Sequence, residues 1–134
     1  MKSVNLDAMI LGQIEARGIR HPRVLDAIRA VPRAAFVPEH LFLAAQSDRA
    51  LPIGHQQTIS QPFIVAKMTE LLALEPEHTV LEVGTGSGYH AAVLSLLVDQ
   101  VFSVEIVESL AIAARARLCE LGYNNVQVGT GRWR

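Results

Sequence analysis

The sequence contains one cysteine, Cys119, so no disulfide can form within the chain. A reduced compartment, the cytoplasm, is the expected setting. Neither sign of charge is in excess. Twelve Lys and Arg stand against 13 Asp and Glu, for a net charge of -1. That balance gives no electrostatic case for nucleic acid or an anionic membrane surface as partner. No apolar run approaches the ~20 residues of a membrane span. The start, MKSVNLDAMI, has one lysine and no continuous apolar stretch, so no signal peptide is expected. The five histidines, His21, His40, His55, His78 and His90, show neither H-x3-H nor H-E-x-x-H spacing. One cysteine cannot build a zinc cluster, and no metal is expected. Internal repeats and low-complexity segments are also lacking.

What is present is globular. Half of the 134 residues are hydrophobic and 19% are charged, a balance that suits a single domain. Apolar residues at helical spacing (Leu6, Met9, Ile10, Ile14) predict a helix over 5–17, ended by Gly18. A second helix is predicted over 22–30, with Pro22 in its first turn and Val24, Leu25 and Ile28 as its stripe. A short helical turn is expected near Phe36 to Leu41. Residues 1–50 thus read as a helical layer. Residues 51–62, LPIGHQQTISQP, have neither helical nor alternating pattern and read as a long loop, which is usually functional or mobile. A helix follows over 61–74, for which Ser60 stands as a possible N-cap.

Residues 79–105, TVLEVGTGSGYHAAVLSLLVDQVFSVE, read as strand, glycine-rich turn, helix, strand. Thr79, Val80, Leu81 and Val83 predict a buried parallel strand, Tyr89 to Val98 an apolar helix, and Val101 to Val104 the next strand. This is a βαβ unit with an expected right-handed crossover. Gly84, Gly86 and Gly88 permit the sharp turn and let a ligand approach the backbone. Glu105, at the carboxyl end of the second strand, can accept both hydroxyls of a ribose, at the usual ligand edge of an open α/β sheet. The spacing Gly84-Thr85-Gly86-Ser87-Gly88 after Glu82 is G-x-G-x-G, not the dinucleotide fingerprint G-x-G-x-x-G. It resembles the first motif of S-adenosylmethionine (SAM) methyltransferases as a class. The plainer alternatives are a turn without a ligand and a solvated strand-end carboxylate. A helix over 107–122 and a third strand from Val126 complete the pattern, with Arg115, Arg117 and Glu120 expected to face water.

GHQQTISQPFIVAKMTELL together with VLEVGTGSGY resembles the protein-L-isoaspartate O-methyltransferase family, as does VPRAAFVPEHL. The resemblance runs from about Ile10 onward. It implies the N-terminal part of a Rossmann-like α/β fold, a mostly parallel sheet with an N-terminal helical layer, and residues 63–134 as the first part of the SAM-binding core. It further implies transfer of a methyl group from SAM to the free carboxyl of L-isoaspartyl residues in damaged proteins, a repair reaction. By this resemblance Ser60 matches the active-site serine, Thr58 and Ile59 belong to the segment covering the cofactor, and Gly84, Thr85, Gly86, Ser87 and Glu105 hold it. Ser60 can equally act only as a helix cap. Two residues depart from the family pattern. Gln56 stands where the family usually has Gly, and Thr130 stands where a G-D-G ending has Asp, which predicts weaker SAM affinity. The family continues for several more strands and helices. The sequence reading therefore takes this chain as a single partial domain, truncated or frameshifted, with a GRWR tail. A non-catalytic remnant or SAM-binding module of the same family, and a SAM methyltransferase with another acceptor, are the competing expectations.

Overall fold

The computed structural model of the chain describes residues 6–131, which divide after Ala73 into two compact units. In the first, α1 (Leu6–Met9) runs without a break into a π-helical turn (Ile10–Ile14) and a 3-10 turn (Glu15–Arg17). The predicted start at Asn5 lies outside the described residues. The helix closes in a Schellman motif. Gly18, at φ +100°, donates its N–H to Glu15 O at 3.0 Å, and Ile19 donates to Ile14 O at 3.4 Å. Helix α2 spans Pro22–Ala30, as its periodicity predicts, and buries Val24, Ala27 and Ile28. Two 3-10 turns, Arg33–Phe36 and Glu39–Ala44, follow. Helix α3 (Pro62–Leu71) packs on α2 and on the π-helical turn. Met9, Ile10, Ile14, Ile28, Phe36 and Val65 form the core of this unit, each large apolar side chain contributing about 1.5–3 kcal/mol on burial. Helix α3, which the resemblance groups with the SAM-binding core, lies in the first compact unit.

The segment expected as a long loop is a hairpin. Strands β1 (Leu51–Gly54) and β2 (Gln57–Ile59) pair antiparallel, Leu51 opposite Ile59, with an irregularity between Pro52 and Gly54. The turn residues His55 and Gln56 sit at φ +55° and +59°. A two-residue hairpin turn with both central residues at positive φ matches the right-handed strand twist. Asn or Gly at those positions would have signalled it, and neither is present. Helix α3 also starts one residue later than predicted. Gln61, not Ser60, is its N-cap, without a side-chain cap bond, because the residue before Pro62 is driven out of the helical region.

The second unit is the predicted βαβ assembly extended by one strand. Strands β3 (Thr79–Val83), β4 (Gln100–Glu105) and β5 (Val126–Thr130) form a parallel sheet in that order. Helices α4 (Tyr89–Ser95) and α5 (Glu108–Glu120) make the crossovers and pack against β4 and β5. Strand β3 is not buried on both faces as expected. Val80 and Glu82 lie half-buried, while Leu81 and Val83 are 44% and 63% exposed; β4 likewise buries Val101, Ser103 and Glu105 and exposes Phe102. Both crossovers cover one face of the sheet, so within this unit only the alternate residues on that face are shielded. Helix α5 buries Leu110, Ala111, Ala114 and Leu118 and exposes Ala113 and Ala116. Its arginines do not simply face water. Arg115 donates to Val128 O at 2.7 and 3.2 Å, and Arg117 to Ser87 O at 2.8 Å. The last three residues, Arg132 to Arg134, lie outside the described residues.

Candidate functional site

The glycine-rich loop leaves the carboxyl end of β3 and turns back over β4. Gly84 and Thr85 both donate backbone N–H to Val104 O, at 2.8 and 3.3 Å, which carries the strand pairing into the loop. Gly84, Gly86 and Gly88 have φ of +96°, +56° and +92°, values that residues with a Cβ reach only under strain. Their surroundings differ. A Cβ on Gly84 would meet nothing within 4 Å, so this backbone borders open space. A Cβ on Gly88 would lie 3.3 Å from Leu118 Cδ1, because there the loop is pressed against α5.

Glu105 closes the loop from below. Its side chain is 6% exposed. Oε1 accepts the Gly86 N–H at 2.8 Å, and Oε2 accepts the Val107 N–H at 3.1 Å. One carboxylate thus ties the glycine loop to the start of the β4–α5 connection. Each oxygen keeps a second lone pair for a hydroxyl donor. Thr130 is the register partner of Glu105 across β4 and β5, and the Gly131 N–H donates to Glu105 O at 3.0 Å. The Thr-for-Asp departure therefore lies opposite Glu105 on the neighbouring strand.

Beneath the loop runs a polar chain that sequence reasoning missed. Ser103 Oγ donates to Glu82 Oε1 at 2.5 Å and lies 2.5 Å from Thr85 Oγ1. A hydroxyl carries one proton, so with Ser103 donating to Glu82, Thr85 donates to Ser103. Burial, reinforced by the charge of Glu105, pushes the Glu82 carboxyl up to about 7 against the lowering effect of the Ser103 hydroxyl. His90 Nδ1 lies 4.0 Å from Glu82 Oε2, and burial pushes that imidazole down to about 4. The one available signal was a glutamate inside the apolar strand TVLEV.

The predicted residues fall in two places. Gly84, Thr85, Gly86, Ser87 and Glu105 come together in the second unit. Gly84 borders open space, and the Gly86 N–H is held by Glu105. The side chains of Thr85 and Ser87 are buried; the Ser87 hydroxyl accepts the Tyr89 N–H at 3.3 Å. Thr58, Ile59 and Ser60 lie on the first unit, where Ile59 is buried and the other two are exposed. Ser60 is held through its backbone: its carbonyl accepts from Arg33 Nη2 at 3.1 Å. Among the described residues no three His, Cys, Asp or Glu gather as a metal site, and no helix is long and apolar enough to cross a membrane.

Against this geometry the comparisons with known proteins are specific. The sequence profile of protein-L-isoaspartate(D-aspartate) O-methyltransferase (PCMT) matches residues 5–133. The chain belongs to the PCMT family. Protein-L-isoaspartate O-methyltransferase 2 of Pelobacter propionicus is 57% identical over 125 residues, which are 93% of this chain and 56% of that protein. Protein-L-isoaspartate O-methyltransferase of Protochlamydia amoebophila is 54% identical over 123 residues, 92% of this chain and 59% of that protein. The chain thus spans little more than half the length of these PCMT relatives. Among solved structures, a protein-L-isoaspartate O-methyltransferase superposes with a TM-score of 0.82 at 26% identity, covering 96% of this chain and 42% of that one. A Plasmodium falciparum protein assigned to PCMT, in complex with S-adenosyl-L-homocysteine, gives a TM-score of 0.78 at 22% identity over 95% of this chain and 63% of that one. The fold is therefore the α/β fold of PCMT, represented here by a three-stranded parallel sheet and its helices.

Proposed function

We propose that this chain carries the SAM-binding half of a PCMT repair enzyme, which methylates the free carboxyl of L-isoaspartyl residues in proteins and peptides. The observation that carries the reading is Glu105, a buried carboxylate at the carboxyl end of β4 that holds the Gly86 and Val107 N–H groups. Such a group suits a ribose, because each of its oxygens can accept one further hydroxyl. The open space beside Gly84 suits the approach of a ligand to the backbone. These features fit S-adenosylmethionine in kind. Thr58, Ile59 and Ser60 enter through the T-I-S-Q-P resemblance, with Ser60 as hydrogen-bond partner of the substrate or cofactor.

When bound, S-adenosylmethionine supplies an activated methyl group on a positive sulfur. The isoaspartyl carboxylate is already ionised near neutral pH, so no strong general base is needed. The chain's task is to align the accepting oxygen with the methyl carbon and to exclude water, which is catalysis by orientation. For this, Glu105 and the glycine loop would fix the donor. The lone, exposed Cys119 suits a reduced cytoplasm, and a net charge of -1 suits protein rather than nucleic-acid or anionic-membrane partners.

The test is incubation of the chain with methyl-labelled SAM and an isoaspartyl peptide, beside the matching aspartyl peptide. Base-labile label on the isoaspartyl peptide alone is the expected result. Label on neither peptide, with S-adenosylhomocysteine still bound, would replace the enzyme by a cofactor-binding remnant. Label on both equally would point to another acceptor.

A further inference from the structure

Arg33 is the largest side chain wholly removed from solvent, at 0% exposure. Arginine is rarely so buried, and its five N–H donors need acceptors in a fixed fork. Here the two terminal nitrogens of the fork are met by backbone carbonyls. Nη1 donates to Ala45 O at 2.5 Å and reaches Ser47 O at 3.5 Å. Nη2 donates to Arg49 O at 2.9 Å and to Ser60 O at 3.1 Å. Three of these carbonyls belong to one loop, 45–49, wrapped around the guanidinium. The fourth is that of the serine which the resemblance marks. The same loop grips the next residue from outside: Gln61 Nε2 donates to Asp48 Oδ1 at 2.6 Å, and Arg17 pairs with the same carboxylate. Ile59 on one side is buried, and Pro62 on the other fixes its own φ. Ser60 is thus immobilised at its carbonyl and at both neighbours, while the residue itself is exposed.

We propose that Arg33 is the positioning residue of the Ser60 segment: through the Ser60 carbonyl and the 45–49 loop it sets the orientation in which Ser60 meets the isoaspartyl substrate. This rests on the proposed function and names a residue that the G-x-G-x-G and T-I-S-Q-P motifs do not contain. Lysine keeps the charge but not the planar fork, so Arg33→Lys can satisfy only part of the four-carbonyl set. A merely structural arginine would act on the whole fold. A positioning arginine acts through Ser60.

The two roles separate in a double-mutant cycle with Arg33→Lys and Ser60→Ala in the full chain. Each variant is assayed well below its own melting temperature for affinity to S-adenosylhomocysteine and to an isoaspartyl peptide. Arg33→Lys is expected to weaken peptide binding at least tenfold in the presence of Ser60 and less than twofold in the Ser60→Ala background. Arg33→Lys leaves S-adenosylhomocysteine affinity within twofold in the Ser60→Ala background and changes it less than peptide affinity in the presence of Ser60. Non-additivity of this kind marks residues that act through one another. An equal loss in both backgrounds, or a parallel loss of S-adenosylhomocysteine binding, overturns the proposal. Should Arg33→Lys not fold, the wild-type chain answers the question by NMR. The Arg33 guanidinium resonances are expected to shift on addition of isoaspartyl peptide and not of aspartyl peptide, and unmoved resonances overturn the proposal. If the wild-type chain binds no isoaspartyl peptide at all, the proposed function itself falls first and the positioning role with it, a result distinct from a failure of the cycle alone.

Discussion

Glu105 Oε1 accepts the Gly86 backbone N–H at 2.8 Å, so the carboxylate that ends β4 also fixes the middle of the glycine-rich loop. The second oxygen holds Val107 N–H. Loop shape and the proposed ligand contact therefore fall on one side chain. A neutral replacement loses the charge of two charge-assisted hydrogen bonds, each worth about 1.5–3 kcal/mol. Glu105→Gln is expected to weaken S-adenosylhomocysteine binding by roughly 10- to 100-fold and to speed hydrogen exchange at the Gly86 amide. Calorimetry and exchange measurements report the two effects separately. Unchanged affinity would remove Glu105 from the ligand site while leaving its role in the loop intact.

A second prediction follows from the opposed titrations of Glu82 and His90. Burial raises the Glu82 carboxyl from 4.5 to about 7 and lowers the His90 imidazole from 6.5 to about 4. Near pH 5–6 both are therefore neutral, and their 4.0 Å approach is not an ion pair. A carboxyl whose folded pKa is raised contributes stability at low pH that is lost as pH climbs through 4.5 to 7. An imidazole whose folded pKa is depressed costs stability at low pH, and that cost is relieved as pH climbs through 4 to 6.5. At 1.36 kcal/mol per unit each effect reaches about 3 kcal/mol, and the two run in opposite directions over nearly the same window. Relative to the wild-type curve, Glu82→Gln should grow more stable as pH rises through this window, and His90→Gln less stable. Urea midpoints between pH 4 and 8 check this. Two difference curves of the same sign would show that the pair does not compensate.

The hairpin gives a third. Gln56 sits at φ +59°, where L-residues other than Gly, Asn and Asp are costly by roughly 1–2 kcal/mol. A glycine would take this left-handed geometry without strain. Gln56→Gly relieves the strain but adds freedom to the unfolded chain, for a net gain of about 0.5–1 kcal/mol. The denaturant midpoint should rise with an unchanged slope. A fall in midpoint would mean that the Gln56 side chain contributes more than its backbone costs.

How far the sequence speaks depends on the range of the forces involved. The βαβ unit was legible because short apolar runs and three glycines are local signals, and Glu105 falls at a strand end by simple counting. The hairpin was not, since the residues at positive φ, His55 and Gln56, are neither Gly nor Asn. The N-cap slipped by one because Pro62 forces Gln61, rather than Ser60, into the extended region. Arg33 left no trace in periodicity. Its partners are carbonyls 12 to 27 residues away, and nothing about a carbonyl distinguishes one residue from another. Arg117 was read as solvated for the same reason: its acceptor, Ser87 O, lies 30 residues upstream.

The three loop glycines look equivalent in the motif G-x-G-x-G, but the structure separates them. At Gly84 and Gly88 alike, alanine meets a positive φ, at a cost of about 1–2 kcal/mol. At Gly88 the new methyl also lies 3.3 Å from Leu118 Cδ1, so that side chain must give by a few tenths of an ångström; overpacking of this kind adds about 1–3 kcal/mol. At Gly84 the methyl enters open space, the space that a ligand would occupy. Gly88→Ala should therefore be the less stable variant, and Gly84→Ala should lose more S-adenosylhomocysteine affinity for each unit of stability lost. Denaturant midpoints and calorimetric affinities on the two variants decide the matter. A Gly84→Ala chain that binds the ligand as tightly as wild type would mean that the open side of the loop does not face the cofactor.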